Sequence, residues 1–451
     1  MSQTNSVNVS TRIDSCPIGW FQLRIVALCS LVVALDGFDA QLLGYIAPAI
    51  SEDWELPAGS LGPIFGLGLF GMMIGALVFG PVADRIGRKK IIIGATFFFA
   101  FCTLATLTAE SLTGLGFWRF MTGIGLGAAY PNAMALTSEF SPKRRRAMLV
   151  MLMFLGFGLG SAIGGAVAAM LLADYGWQSM LWVGGIVPIL VAFALIPLLS
   201  ESPTFLVARG GRDNLIRSIL RKIDPSKEVS DDAAFCINKN DIGGQSVKNL
   251  FTGGRSLGTL MLWVMFSGGL FSLYFLMAWL PTIIYQMNVS LENAALITAN
   301  MQVAVTIATI VVALIADKIG IHRILPFLYF MAAVFIASIG LVSTSGGFML
   351  LSTTALVAVT VFFSGFFVGG GQNSANALAS IYYPAHIRAT GISWGHGVSR
   401  TASILGPVAG GTMLAGNFSI DTMFYLAAIP MACACVASLI FRVRYHGRLS
   451  N

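Results

Sequence analysis

Two carboxylates lie inside the first long apolar stretch of the sequence, at Asp36 and Asp39. The stretch runs from about residue 21 to residue 50, and ~20 apolar residues suffice to cross a bilayer. An acid there is costly unless it faces a polar interior. A spacing of three residues puts both carboxylates on one helix face, and Gly37 permits close approach of backbone or substrate. The pattern predicts a proton- or cation-linked site on the first helix of a transporter. The alternative is a short anchor with two misplaced acids, which the later apolar stretches disfavour.

Two arginines, Arg119 and Arg400, also lie several residues inside apolar stretches. A guanidinium stays charged and can hold a carboxylate through two parallel hydrogen bonds, so both are candidates for binding an anionic substrate. We expect Asp36 and Asp39 to neutralise Arg119 or to carry a coupled proton. The acids of the second six segments lie only at the edges of the apolar stretches, which favours Arg400 as the partner of a substrate carboxylate. The alternative for either arginine is a structural ion pair.

Two further titratable residues belong to this pattern. Glu139, close to the end of the fourth apolar stretch, is a second candidate for the proton carrier. Its alternative is an ion pair with one of the arginines at 144–146. His396 precedes Arg400 by one helical turn. It is either a packed or hydrogen-bonded residue, or a group that tunes Arg400 or contacts the substrate, since His titrates near neutral pH.

The composition is that of a membrane protein. Of the 451 residues, 56% are hydrophobic and only 10% are charged, whereas soluble domains carry about 25% charged residues. The net charge of +7 comes from Lys and Arg in short loops. Such residues set membrane orientation, so nucleic acid is not an expected partner. The six cysteines lack the spacing of metal ligands. No nucleophile–base pair appears either, so we expect no enzyme, no catalytic residues, no cofactor and no metal.

The apolar stretches predict an all-α polytopic membrane protein with twelve transmembrane helices. They lie at about 21–50, 60–83, 91–109, 113–138, 147–172, 179–199, 257–285, 293–316, 324–343, 348–380, 389–415 and 420–441. One long polar insert separates the sixth from the seventh. The predicted domains are a cytoplasmic N-terminal tail (1–20), an N-terminal six-helix half (21–199), a cytoplasmic linker (200–256), a C-terminal six-helix half (257–441) and a cytoplasmic C-terminal tail (442–451).

Basic residues and internal repeats predict how these helices are arranged. With the N-terminus inside, none of the short outer loops contains Lys or Arg, which is the bias expected when both termini are cytoplasmic. ADRIG at 83–87 follows the second segment, and ADKIG at 316–320 follows the eighth. PKRRRA at 142–147 and PAHIRA at 384–389 also match in position. Such repeats predict two six-helix pseudo-repeats.

The stretch GPVADRIGRKK at 80–90 resembles the signature between helices two and three of the major facilitator superfamily. Arg119 with the glycines that follow it resembles the fourth-helix motif, and the glycines at 156–165 resemble the fifth-helix motif. The resemblance covers almost the whole chain and implies the major facilitator fold. It also implies that residues matching the loop motifs gate the cytoplasmic side; these are Asp84, Arg85, Arg88, Asp317, His322 and Arg388.

Within that superfamily, LDGFD at 35–39 and IAPAI at 46–50 resemble the aromatic acid:proton symporter family. PNA at 131–133 and RATGISW at 388–394 match as well, with Arg400 six residues after Trp394. The resemblance implies a proton-coupled symporter that imports a benzoate, hydroxybenzoate or chlorinated aromatic acid by alternating access. It implies a multi-pass protein of the bacterial cytoplasmic (inner) membrane that serves aromatic catabolism. We expect a monomer whose partners are the aromatic carboxylate, protons and the lipid bilayer.

The ring of such a substrate needs an apolar pocket with a few polar groups. Besides Arg119, Arg400 and His396, the residues expected to face it are Phe38, Tyr130, Asn132, Tyr274, Gln372, Asn376 and Trp394. Any one of them could instead be a packing residue. His396 is a departure, because members of the family often have an apolar residue near that position.

Other functions stay open at this point. Within transport, the alternative is a carrier of another organic anion or a drug exporter of the same fold. A non-transporting sensor with a transporter fold is a different class. The acids and arginines inside the segments argue against a sensor, because a sensor needs no coupling group.

Overall fold

The computed structural model describes residues 6–224, 234–236, 247–344, 353–384 and 387–449. A short strand, β1 (Ser6–Asn8), and a short helix, α1 (Val9–Ser15), come first. Six long helices follow: α2 (Trp20–Asp53), α3 (Gly62–Ile86), α4 (Arg88–Ala105), α5 (Leu112–Phe140), α6 (Arg146–Tyr175) and α7 (Gln178–Leu198). Next come α8 (Pro203–Arg209), α9 (Asp213–Ile223) and β2 (Ala234–Cys236). The last six are α10 (Ser256–Gln286), α11 (Leu291–Ile319), α12 (Ile321–Thr344), α13 (Thr353–Tyr382), α14 (Arg388–Ala415) and α15 (Ile420–Leu449).

The predicted fold class is confirmed: the protein is an all-α polytopic membrane protein with two sets of six long helices. Most helix ends agree with the predicted segments to within a few residues. The predicted start of the tenth segment, at 348–352, lies outside the described residues. Among the helices described, ten are long and apolar enough to cross a membrane by length and composition alone.

Two long helices, α5 and α14, are not apolar enough to be counted among these ten. They carry Arg119 and Arg400. Both are rich in glycine and contain several polar side chains. Polar residues in membrane helices face the bundle interior or a cavity. The lower hydropathy of α5 and α14 is therefore what membrane helices with a polar interior face require.

The N-terminal tail and the linker contain structure that the sequence analysis did not predict. β1 pairs in parallel with β2, with Ser6 opposite Ala234. Helix α9 is amphipathic, and Ile216, Ile219, Leu220 and Ile223 form its buried face. These side chains belong to the same apolar core as α1 and the start of α2. The first part of the linker is thus packed onto the helices rather than extended.

The chain forms two compact units. The first contains Met1–Asp39, Phe70–Gly160 and Leu181–Gly243, and the second contains Ala40–Leu69, Ser161–Met180 and Gly244–Asn451. The division passes through α2 after Asp39, so Asp36 and Asp39 both belong to the first unit.

In the first unit, α2 and α6 approach each other at glycines. A Cβ on Gly37 would collide with the backbone of Phe157, and a Cβ on Gly160 would collide with the backbone of Ala34. Small residues allow membrane helices to pack backbone against backbone. This contact holds the part of α2 that carries the two acids.

In the second unit, α10 lies at the centre of the packing and contacts α11, α13, α14 and α15. The indole N–H of Trp279 on α10 donates to the backbone oxygen of Pro407 on α14 at 2.7 Å. The C-terminal half of α2 also packs here, because Gln41 donates to the backbone oxygen of Met277 at 2.7 Å. Helix α14 and the C-terminal half of α2 are thereby held against α10.

The close contact between α2 and α6 predicts a difference between two glycine substitutions. Gly160→Ala places a methyl group against backbone, and overpacking of this kind costs about 1–3 kcal/mol. Gly94→Ala is the matched control, because a Cβ there meets no atom within 4 Å. Alanine is also the better helix former. We expect Gly160→Ala to lower the thermal unfolding temperature of the purified protein and Gly94→Ala to leave it unchanged or raise it. Equal stability of the two variants would contradict the contact.

Candidate functional site

The first group of candidate residues surrounds Asp39 on α2. The Arg119 guanidinium on α5 reaches this carboxylate with Nη2 at 3.0 Å from Oδ2 and Nη1 at 3.4 Å from Oδ1. Nη2 also donates to the backbone oxygen of Asp39 at 3.2 Å. The Thr103 hydroxyl on α4 donates to Oδ1 at 3.0 Å. The two charged side chains form a hydrogen-bonded ion pair within the first unit.

Both partners of this ion pair are buried. Asp39 is 1% exposed and Arg119 is 6% exposed. A buried charge is tolerated when an opposite charge and further hydrogen bonds surround it. The fork of the guanidinium and the Thr103 hydroxyl provide both. In this structure, Asp39 is the acid that neutralises Arg119.

The local sequence explains why Thr103 and Arg119 meet at this depth. Ser111 caps the N-terminus of α5, because its hydroxyl accepts from the backbone N–H of Gly114 at 3.2 Å. Helices α4 and α5 then pack along each other. A Cβ on Gly125 would lie 2.7 Å from the Cβ of Phe99, so the glycine permits the close crossing. Thr103 follows Phe99 by one turn and points to the same side of α4.

The other candidates of the first unit lie around this ion pair or in ordinary packing. Asp36 is 2% exposed and lies one turn before Asp39 on α2. Phe38 is buried as well. Tyr130 is half-buried and packs on Phe154, with ring centroids 5.3 Å apart. The Asn132 amide donates to a backbone oxygen of its own helix at 2.7 Å, which is typical of a packed residue.

A second charged cluster lies where α5 ends and α4 begins. Arg88 Nε lies 2.7 Å from Glu139 Oε1, and Arg88 Nη2 lies 3.0 Å from Asp84 Oδ1. The first contact is ionic rather than a directed hydrogen bond, because Arg88 Nε has no hydrogen-bond partner among the described residues. The Ser202 hydroxyl, which caps α8, donates to Glu139. The predicted alternative for Glu139, an ion pair with an arginine at 144–146, is therefore wrong.

The remaining loop-motif residues are spread over several surfaces. Arg85 is exposed, and its backbone oxygen accepts from Arg209 at 2.5 Å. Arg388 donates to the backbone oxygen of Tyr383 at 3.3 Å. His322 lies half-buried in the first turn of α12. The side chain of Asp317 lies outside the described part of the chain.

The second group of candidates lies in the second unit, on α10, α13 and α14. His396 Nε2 is 2.7 Å from Asn376 Oδ1. The Asn376 amide donates to the backbone oxygen of Gln372 at 3.3 Å. The His396 ring packs on Phe266, with ring centroids 5.0 Å apart. The structure thus brings three of the predicted substrate-binding residues together on two neighbouring helices.

The last three candidates of this unit differ in exposure. Arg400 is half-buried and follows His396 by one turn on α14. Tyr274 on α10 is buried. Trp394 is 45% exposed, so a pocket wall and a lipid-facing position both fit its exposure.

Sequence analysis missed several residues that the structure places at these sites. Thr103 and Ser202 each donate to a carboxylate that was predicted to be functional. Hydroxyl residues are common in membrane helices, so neither carried a distinguishing signal. Trp263 lies next to the His396 group and belongs to no recognised motif.

These groups are suited to holding ions and protons, not to covalent chemistry. Among the described residues, no group of three or more His, Cys, Asp or Glu side chains could hold a metal ion. A fold of membrane-crossing helices with charged side chains buried inside defines a multi-pass membrane transporter.

Comparison with known proteins agrees with this class. The sequence profile of the Major Facilitator Superfamily matches residues 29–351 and 334–451. The 4-hydroxybenzoate transporter PcaK of Pseudomonas putida is 37% identical over 437 residues, which is 96% of each chain. The gallate transporter of the same species is 36% identical and covers 96% of this chain and 94% of that protein. Among solved structures, the chain is similar to a bacterial homolog of the human lysosomal transporter Spinster in an inward-facing and unoccupied conformation. The TM-score is 0.65 at 16% sequence identity, and the match covers 95% of this chain and 97% of the homolog.

The chain therefore belongs to the major facilitator superfamily, and it is a transporter rather than an enzyme. The predicted resemblance to the aromatic acid:proton symporter family is confirmed by these relatives.

The buried ion pair predicts a specific pattern of stability. Asp39→Asn leaves the Arg119 charge in the bundle without its carboxylate, and loss of one partner of a buried pair costs about 3–5 kcal/mol. We expect a clear drop in the thermal unfolding temperature of the purified protein. The double variant Asp39→Asn with Arg119→Gln should recover part of the loss, because no charge is then stranded.

Asp36→Asn is the matched control, since it removes an acid of the same helix that is outside this ion pair. An Asp39→Asn variant as stable as Asp36→Asn would contradict the importance of the pair.

Proposed function

We propose that the protein is a proton-coupled symporter that imports a small aromatic carboxylate by alternating access. The observation that carries the proposal is the set of charged side chains held inside membrane helices, above all the Asp39–Arg119 pair and the half-buried Arg400. Full-length similarity to 4-hydroxybenzoate, gallate and benzoate transporters supports the substrate class.

Arg400 is the residue that we assign to the substrate carboxylate. It lies twelve residues from the start of α14 at Arg388, a rise of ~18 Å that reaches the middle of a membrane. Carriers of this kind bind their substrates at that depth. A guanidinium can hold the two oxygens of a carboxylate side by side.

Asp39 and Asp36 are the residues that we assign to the coupled proton. Asp39 is in direct contact with Arg119, so protonation of Asp39 would weaken the ion pair and change the forces between α2 and α5. Asp36 is buried one turn away and is the partner acid on the same helix. Glu139 is the second candidate, and its contact with Arg88 makes its protonation a way to loosen the ends of α4 and α5.

The charged cluster of Asp84, Arg88 and Glu139 is proposed to gate the cytoplasmic side. The cluster joins α3, α4, α5 and the start of α8 through ion pairs and one capping hydroxyl. We propose that the matching loop motifs, which contain Arg85, Asp317, His322 and Arg388, also take part in gating the cytoplasmic side. The protein would reside in a bacterial cytoplasmic membrane, with both termini inside, and act as a monomer.

Reconstitution into proteoliposomes tests the function. With an acidic exterior and a neutral interior, wild-type protein should accumulate labelled 4-hydroxybenzoate above its external concentration, and a protonophore should abolish the accumulation. Asp39→Asn and Asp36→Asn should lose gradient-driven accumulation but retain exchange of labelled for unlabelled substrate, because exchange needs no net proton movement.

The outcomes separate the two parts of the proposal. Uptake that ignores the pH gradient would overturn proton coupling. Absence of uptake for benzoate, 4-hydroxybenzoate and gallate alike, with uptake of another organic anion, would overturn the substrate class. Unchanged accumulation by both Asp variants would move the proton site to Glu139.

The distribution of basic residues predicts which loops an impermeant thiol reagent can reach. Ala58 is exposed in a loop assigned outside, and Arg212 is exposed in the linker assigned inside. In intact cells, Ala58→Cys should be labelled and Arg212→Cys should not, while both should react after the membrane is opened. The wild-type protein, with its own cysteines, sets the background. Labelling of Arg212→Cys alone in intact cells would reverse the orientation.

A further inference from the structure

A cluster of aromatic and hydrogen-bonding side chains lies on α10, α13 and α14, within the second unit. We call it the Gln372 cluster. Its members are Trp263, Phe266, Gln372, Asn376 and His396. The group combines one apolar ring face with several polar atoms, the composition expected of a small-molecule site.

Gln372 is the unusual member. Its side chain is 8% exposed, yet among the described residues neither its Nε2 nor its Oε1 has a hydrogen-bond partner. A Cβ on Gly269 of α10 would collide with this Oε1, so the glycine provides the space in which the amide lies. Buried amides are nearly always hydrogen-bonded. An unsatisfied donor and acceptor in one buried group therefore indicate a place for a polar ligand group.

Asn376 and His396 supply a defined hydrogen-bonding edge beside it. Asn376 uses its amide nitrogen for the backbone oxygen of Gln372 and its Oδ1 for His396 Nε2. Because a carbonyl oxygen accepts, Nε2 carries the hydrogen of this bond. A neutral His396 then presents Nδ1 as an acceptor. The ring is held in place by its contact with Phe266 at 5.0 Å.

Trp263 adds a donor to the same side of α10. Its indole nitrogen is buried and has no hydrogen-bond partner in the described part of the chain. Its ring packs on Phe251 at 5.6 Å. A Cβ on Gly395 of α14 would lie 2.9 Å from the Phe266 ring and 3.8 Å from Trp263. This glycine lets α14 approach the two rings and brings His396 next to them.

We propose that the Gln372 cluster binds a hydroxyl group on the ring of the substrate and selects hydroxylated aromatic acids over unsubstituted ones. The inference rests on the proposed function and refines its substrate class. A phenolic hydroxyl both donates and accepts, which matches the amide of Gln372, the indole N–H and the acceptor edge of His396. Phe266 provides an apolar face for the ring.

The position of Arg400 fits this assignment. It follows His396 by four residues on α14, so both lie on one face of the helix, separated by a rise of ~6 Å. On a hydroxybenzoate, the distance between the carboxylate and the ring hydroxyl is comparable to this rise. Arg400 would hold the carboxylate while the Gln372 cluster reads the hydroxyl.

The test compares binding of benzoate and of 2-, 3- and 4-hydroxybenzoate to the purified full-length protein by calorimetry. A site built to pair with a hydroxyl penalises a ligand that lacks it. At least one hydroxybenzoate should bind the wild type about tenfold or more tightly than benzoate. Gln372→Met, which keeps the side-chain length but removes the amide, should reduce that preference to about twofold.

Asn373→Leu is the matched control. Asn373 is the next residue of α13, is exposed, and donates to Thr309 at 2.7 Å. The Asn373→Leu variant should keep the wild-type preference for the hydroxybenzoate over benzoate. A second test changes the ligand instead of the protein. It uses the methoxybenzoate with its methoxy group at the ring position of the preferred hydroxyl. This acid has no O–H to donate, so it should bind the wild type with about the affinity of benzoate.

The outcomes distinguish this inference from the proposed function. If the wild type binds none of these acids, the proposed function itself fails. If it binds benzoate and all three hydroxybenzoates equally, or if Gln372→Met keeps the preference, the hydroxyl site is overturned. If Gln372→Met does not fold, the methoxy comparison decides, and equal affinity for the methoxy and hydroxy acids overturns the site.

Discussion

The arrangement of the helices in the first unit depends on a buried ion pair, because a charge inside a membrane needs an opposite charge beside it. An arginine in the middle of a bilayer is costly unless it meets an opposite charge. Arg119 meets Asp39 across α5 and α2, and the hydroxyl of Thr103 completes the shell of the carboxylate. The pair joins three helices of the first unit at one buried point. A change in the protonation of Asp39 would therefore reach α2, α4 and α5 at once, and this is the basis of the proton coupling that we propose.

Glycine makes this arrangement possible. At the α2–α6 contact, the glycines of both helices admit the backbone of the other, and Gly125 admits Phe99 between α5 and α4. In the second unit, Gly269 and Gly395 do the same around the Gln372 cluster. Glycine thus serves two purposes in these helices: it brings backbones together, and it leaves room for polar side chains that could not otherwise lie in the interior.

Much of the architecture could be predicted from the sequence, because long apolar stretches leave little choice but membrane helices. The pairing of an acid with Arg119 could also be anticipated, since a bilayer makes an isolated charge so costly. The ion-pair partner of Glu139 could not be anticipated from the sequence. Arg144, Arg145 and Arg146 are near in sequence, but Arg88 lies across the cluster in space.

The same limit applies to hydrogen-bonding groups without charge. Thr103 and Trp263 could not be singled out, because hydroxyls and indoles occur throughout membrane helices and only packing shows which of them face a buried polar atom. Helix α9 could not be recognised from composition for another reason. It is only 11 residues long within a polar linker, so its buried positions Ile216, Ile219, Leu220 and Ile223 do not form an apolar stretch.

We propose that Arg119 and Arg400 have different roles: Arg119 is held by Asp39, and Arg400 binds the substrate. The most direct measurement is the affinity of purified variants for 4-hydroxybenzoate. We predict that Arg400→Ala abolishes binding and that Arg400→Lys weakens it strongly, because lysine keeps the charge but not the fork. Arg323→Ala, at an exposed position in α12, should bind as the wild type does. Near-normal affinity in a folded Arg400→Ala variant would contradict the account.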